Sequence, residues 1–199
     1  MKDAKRTGVE ALAPEKAAEA AALAALCMAD NSYYALLYQG YSRAEMISLM
    51  RVRIERTLAY CAAQKGLFGA TAGGRLAAYE YMVDYRRLRD ENGALFRAIF
   101  SYGEAAGETP PLREIKHTLS GLLDEGRRIT YVLGCGVAPW ARRSASVLAA
   151  MAHFNKGLLR SEDVIAADFS NRALLSLCSR HGPFEIKELS GDYWFFLRR

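Results

Sequence analysis

Apolar residues recur at helical spacing from Ile47 through Met50, Ile54 and Leu58 to Cys61, while Arg51, Arg53, Glu55 and Arg56 mostly fall off that stripe. Ser42-Arg43-Ala44-Glu45 precedes the stripe as a capping box. The serine hydroxyl accepts the glutamate backbone N–H while the glutamate reaches back to the serine N–H. The pattern predicts a helix from Ser42 to near Gly66. Upstream, Pro14 opens an alanine-rich stretch, residues 15–29, of strong helix formers, and Asp30-Asn31-Ser32 ends it. Residues 7–12 read as a weakly marked first strand. The tyrosine-rich residues 33–41 fit helix or loop.

The period then changes. Residues 67–72 and 75–85 alternate as two strands joined by Gly73-Gly74, the signature of a tight hairpin. Residues 86–127 are polar and helix-prone with breaks between Gly103 and Pro111, and predict one or two helices inserted over the sheet. Residues 129–137 form a strong buried strand, whose glycines point to a bulge or a close backbone approach. A helix over about 140–155, a strand over 163–169 and a helix over 171–181 closed by Gly182 follow. Strands at 184–189 and 193–197, turned at Ser190-Gly191-Asp192, end the chain. The order is β-α-α-β-β-(helical insert)-β-α-β-α-β-β. It predicts an α+β fold, an α/β sandwich with a mixed sheet flanked by helices, in a single domain over residues 1–199.

Composition narrows the function classes. The 199 residues are 51% apolar and 25% charged, as in a globular protein, and no apolar run approaches a membrane span. The first residues carry positive charge without an apolar region after them, so no secretory signal is read. The net charge of +5 is spread along the chain, which suits an anionic ligand and gives no nucleic-acid stripe. Cys27, Cys61, Cys135 and Cys178 are far apart, and His117, His153 and His181 supply no paired ligands, so no metal site is expected. Reduced thiols and a cytoplasmic location follow as expectations.

Two segments carry chemistry. Val137-Ala138-Pro139-Trp140-Ala141-Arg142-Arg143-Ser144-Ala145-Ser146 joins a buried strand directly to a helix. The N–H groups that open a helix lack partners within it, and the helix dipole adds partial positive charge there, so a diphosphate binds well. Small side chains allow close approach, and Arg142 or Arg143 can add charge-assisted bonds. This segment resembles the acyl-CoA loop of the GNAT-type N-acetyltransferases, Val-x-Pro-x-x-Arg followed by small residues. It departs from that pattern in placing Ala145 and Val147, or Ser144 and Ser146 in a shifted register, where the family has glycines. The second segment, residues 171–185, is similar to the family's later Asn-x-x-Ala-x-x-Leu-Tyr-x-x-x-Gly-Phe motif through Asn171, Leu177 and Gly182, with Phe184 in register after one insertion.

The resemblance implies a mostly antiparallel GNAT-like sheet, acetyl-CoA or another acyl-CoA as cofactor, and an acyl-CoA-dependent N-acyltransferase activity. The strands at 129–137 and 163–169 would splay around the pantetheine arm. The implied cofactor-binding residues are Cys135, Val137, Arg142, Arg143, Ser144, Ala145, Ser146 and Asn171. An amine attacks the acyl carbon directly, with a base or water taking its proton and an acid assisting the thiolate. Cys178 stands where the family has its tyrosine acid. Tyr131, or a tyrosine at 79, 81 or 85, is an alternative acid, while Glu80 and Asp84 are candidate bases or members of a solvated strand face. The acceptor is a small-molecule or protein amine, selected by residues 30–42 and 86–127. No nucleic-acid or membrane partner is expected. The chain is a monomer, or a homodimer formed through an exposed aromatic C-terminal strand. The missing glycines and tyrosine equally admit a catalytically weakened acyl-CoA-binding or regulatory module.

Overall fold

The computed structural model describes residues 8–31, 34, 38–100, 110–160, 164–170, 184–190 and 193–199. Its seven strands form one sheet in the order β1-β2-β3-β4-β5-β7-β6. These are β1 (Val9–Ala11), β2 (Leu67–Ala72), β3 (Arg75–Asp84), β4 (Ile129–Val137), β5 (Val164–Phe169), β6 (Glu185–Ser190) and β7 (Tyr193–Arg198). The described helices are α1 (Ala17–Met28), α2 (Arg43–Ala63), α3 (Tyr85–Glu91), α4 (Gly93–Phe100), α5 (Pro110–Asp124) and α6 (Ala145–Leu158). The chain divides into two compact units, Met1–Tyr81 with Gly134–Ser161, and Met82–Leu133 with Glu162–Arg199.

In the first unit α1 packs on α2. Ala17, Ala20, Ala21, Ala24 and Ala25 are buried, so one face of α1 carries only methyl groups and lets its neighbours approach closely. The capping box of α2 is formed: Glu45 N–H reaches Ser42 Oγ at 3.3 Å and Ser42 N–H reaches Glu45 Oε2 at 2.8 Å. The buried stripe of α2 begins at Met46 and continues through Met50, Ile54, Leu58 and Cys61. The helix stops one residue earlier than the glycine suggests. Lys65 takes the left-handed conformation (φ 58°), and Gly66 N–H returns to Cys61 O at 2.7 Å. The β2–β3 hairpin turns on Gly73 and Gly74, both at positive φ (59° and 76°), as a two-residue turn of this kind requires.

In the second unit Asp84 ends β3 by accepting Arg87 N–H at 3.0 Å. Tyr85, read as the end of the strand, therefore opens a helix. The insert holds three described helices, α3 to α5. Tyr85, Phe96, Phe100 and Tyr131 form an aromatic cluster, with Phe100 and Tyr131 ring centroids 5.3 Å apart. Leu112, Ile115, Leu119, Leu122 and Leu123 give α5 its buried face. β4 pairs in parallel with β5 over Ile129–Val132 and Val164–Ala167, and β5 and β6 both pair antiparallel with β7. The aromatic C-terminal strand is thus interior, and Tyr193 to Leu197 are all buried. This corrects the expectation of an exposed edge available for dimer pairing. The helix expected at 171–181 lies outside the described residues. Among the described residues no helix is long and apolar enough to cross a membrane.

Candidate functional site

The first sequence motif lies wholly in the first unit. β4 ends at Val137, and Ala138 N–H extends the ladder to Ala77 O at 2.8 Å. Pro139 then starts a single 3₁₀ turn through Ala141, where its missing N–H and fixed φ cost nothing. The helix expected from Trp140 is therefore delayed. Ser144 N–H bonds Ala141 O at 2.9 Å, and α6 opens at Ala145. Ser144 occupies the capping position with extended backbone, yet its hydroxyl makes no cap bond and lies 3.1 Å from Ser146 Oγ. Leu148 N–H takes Ser144 O, so the N–H groups of Ala145, Ser146 and Val147 precede the first intrahelical bond. Arg142, Arg143, Ala145 and Ser146 are all exposed, which leaves the helix start open to solvent.

Arg142 is oriented by its surroundings. Its Nη2 lies 3.3 Å from Asp30 Oδ2 and its Nε lies 3.5 Å from Val137 O. Asp30, at the end of α1, also accepts Arg43 Nη2 at 2.7 Å. The Arg43 hydrogen bond, aided by Arg142, holds the Asp30 carboxyl below the usual carboxylate range. Cys27 Sγ sits 3.5 Å from Val137 O. Burial pushes its thiol up, opposed by the nearby Arg142 charge. Arg75, beside the hairpin turn, stacks 4.8 Å from the exposed Trp140 ring and ties hairpin to loop. Cys135 is exposed on β4, and Val137 is half-buried.

Glu80 and Tyr79 point to opposite faces of β3, as strand alternation demands. Glu80 is only 3% exposed, so it belongs to no solvated face. The Asn155 side-chain amide, with its nitrogen turned to the carboxylate, lies 2.9 and 3.1 Å from the two Glu80 oxygens. Burial pushes the Glu80 carboxyl up to about 7, against the Asn155 hydrogen bond. Asp84, the other candidate base, is exposed and caps α3.

Tyr131 lies in the second unit and is 1% exposed. Its hydroxyl donates to Asp168, which also accepts the hydroxyl of Tyr193. Burial raises the Asp168 carboxyl, and the two phenols oppose the shift. Cys178 and Asn171 lie outside the described residues. Sequence reasoning passed over Asp30, Asn155 and Asp168. For Asp168 a signal existed, a lone carboxylate inside the apolar run Val164–Phe169. For the other two, the partners are 112 and 75 positions away and no local pattern marks them.

No protein-family model matches the chain, and no curated protein matches it. Solved structures do. A mutant agmatine N-acetyltransferase in its apo form superposes with TM-score 0.62 and 12% identity, covering 98% of this chain and 99% of that one. The PaiA N-acetyltransferase of Thermoplasma acidophilum in complex with coenzyme A gives TM-score 0.53 and 11% identity over 96% and 97%. The C-terminal condensation domain of Ebony in complex with beta-alanyl-dopamine gives TM-score 0.61 and 11% identity over 96% and 99%. At such identities the likeness is one of architecture: the chain has the GNAT-type N-acetyltransferase fold, in a sequence far diverged from these proteins.

Proposed function

We propose that the chain is an acyl-CoA-dependent N-acyltransferase that moves an acetyl group from acetyl-CoA to a primary amine by direct attack. The observation that carries this reading is the junction of β4 with α6. A 3₁₀ turn delivers a solvent-open helix start whose serine does not cap it, flanked by two exposed arginines. Ala145, Ser146 and Val147 present the amides, and Arg142 and Arg143 the charge, for a diphosphate. The backbone of β4 around Cys135 and Val137 is the segment along which the pantetheine arm would pair. Bound acyl-CoA supplies an activated thioester. The chain's own part is to anchor the diphosphate and to hold the acyl carbon at the end of β4.

The proton-handling roles read differently with the geometry in hand. The burial of Glu80 against Asn155 and of Tyr131 against Asp168 supports structural roles for both, so the proton of the attacking amine passes to water. The fold neighbours include proteins named for agmatine, a coenzyme A complex and a condensation domain holding beta-alanyl-dopamine, which supports a small-molecule amine as acceptor. Melting the protein with millimolar acetyl-CoA tests the reading. A ligand at a hundred times its Kd stabilises the native state by about 2.7 kcal/mol. We expect a clear rise in Tm for the wild type and its loss in Arg142→Ala/Arg143→Ala; no rise in the folded wild type contradicts the reading.

A second reading, a binding or regulatory module without turnover, is favoured by the side chains at Ala145 and Val147, where glycines would let the diphosphate closer. Acetylation of any member of an amine panel, abolished by the double arginine substitution, excludes it.

A further inference from the structure

β4 carries glycine at alternate positions, and each glycine lies beneath a tyrosine of β3. A methyl carbon on Gly136 would come 2.7 Å from Tyr79 Cε1 and 2.8 Å from its hydroxyl oxygen. On Gly134 it would come 2.7 Å from Tyr81 Cε1 and 2.9 Å from the Tyr81 hydroxyl oxygen. Both contacts are closer than real side chains allow, so neither position tolerates a side chain while the ring stays in place. The two rings stack on each other with centroids 6.1 Å apart and planes 26° off parallel. Two phenols thus lie flat over the β4 backbone, their hydroxyl ends above the glycines.

The two hydroxyls differ. Tyr79 is fully buried, and its hydroxyl has no hydrogen-bond partner among the described residues. Leaving a buried hydroxyl unsatisfied is costly, and natural structures keep few such groups without a reason. The oxygen sits over Gly136, between Cys135 and Val137, the stretch of β4 along which the pantetheine arm would run. Its burial also keeps the phenol protonated well past its ordinary pKa, so it serves as a hydrogen-bond donor and never as a base.

We propose that the Tyr79 hydroxyl is a ligand-contacting group of the acyl-CoA site, donating its hydrogen bond to the cofactor sulfur. This rests on the acyl-CoA reading above. In the transfer the amine nitrogen bonds the acyl carbon, the C–S bond breaks and its electron pair goes to sulfur. The nitrogen gives a proton to water, and Tyr79 keeps its own. The hydrogen bond strengthens as charge gathers on sulfur, the condition for raising rate rather than mere binding.

Titration calorimetry of wild type and Tyr79→Phe with coenzyme A and with desulfo-coenzyme A, which lacks the sulfur, tests this. We expect Tyr79→Phe to bind coenzyme A about threefold to tenfold more weakly, the scale of one hydrogen bond, and desulfo-coenzyme A as tightly as wild type does. The ligand-free variant should melt at or above the wild-type temperature, because only an unsatisfied group has been removed. Equal coenzyme A affinities in both proteins overturn the proposal and leave the acyl-CoA reading intact. An equal loss for both ligands, or a drop of several degrees in the ligand-free Tm, assigns the hydroxyl to the scaffold and overturns it too. Wild type that binds neither ligand overturns the acyl-CoA reading itself.

Discussion

Glu80 shows how one buried side chain sets a pH dependence. Its folded carboxyl titrates at about 7 and its unfolded one near 4.5. The folded state therefore holds the proton over an interval in which the unfolded chain has lost it. By linkage, the stability this group contributes is complete below about pH 4.5, falls as pH rises toward 7, and is flat above that. The difference across the window is about 3 kcal/mol. Unfolding by urea at a series of pH values should show wild type losing stability relative to Glu80→Gln between pH 4.5 and 7. Parallel profiles for the two proteins would mean that Glu80 is ionised in the fold. Single residues were only half legible in the sequence. Arg142 and Arg143 were marked by a local motif and stand exposed at the turn. Glu80 was marked as a candidate base or surface carboxylate, because a strand pattern tells which residues share a face and not which face an incoming helix covers. The Tyr79–Gly136 stack joins residues 57 positions apart on neighbouring strands, and its two halves look ordinary when read separately.

Elements were read best where local chemistry decides them. The capping box of α2, the Gly73-Gly74 hairpin and the apolar strand before Pro139 follow from side chains within a few positions of one another. Errors came where a neighbouring side chain outcompeted the pattern. Asp84 caps α3 and takes Tyr85 out of the strand, and Pro139 spends a 3₁₀ turn before α6 can begin. The end of α2 is a subtler case: Gly66 is present, but Lys65 adopts the left-handed conformation that a glycine takes without strain. Lys65 is exposed, so its side chain offers little compensation. Lys65→Gly should stabilise the protein by up to about 1 kcal/mol in equilibrium urea unfolding, the strain relieved exceeding the added unfolded-state entropy. A destabilised variant would show that the lysine side chain contributes more than its exposure suggests.

At the scale of the molecule, the order of strands and helices was legible, and the order of strands within the sheet was not. Two final strands joined by a short turn pair with each other in any arrangement, and nothing local says which of them meets β5. The continuous apolar run Tyr193–Leu197 was the available clue, since a strand buried on both faces loses its alternation. β7 indeed lies between β5 and β6. The placement matters for partners, because it removes the aromatic strand from the sheet edge.

The acyl-CoA reading depends on where a diphosphate settles, and a crystal structure of the protein grown with coenzyme A measures that directly. We expect diphosphate oxygens within hydrogen-bond distance of the backbone N–H groups of Ser146 and Val147, with Arg142 or Arg143 beside them and the arm running along β4 toward Cys135. A cofactor bound elsewhere, with the start of α6 left to solvent, would contradict the assignment.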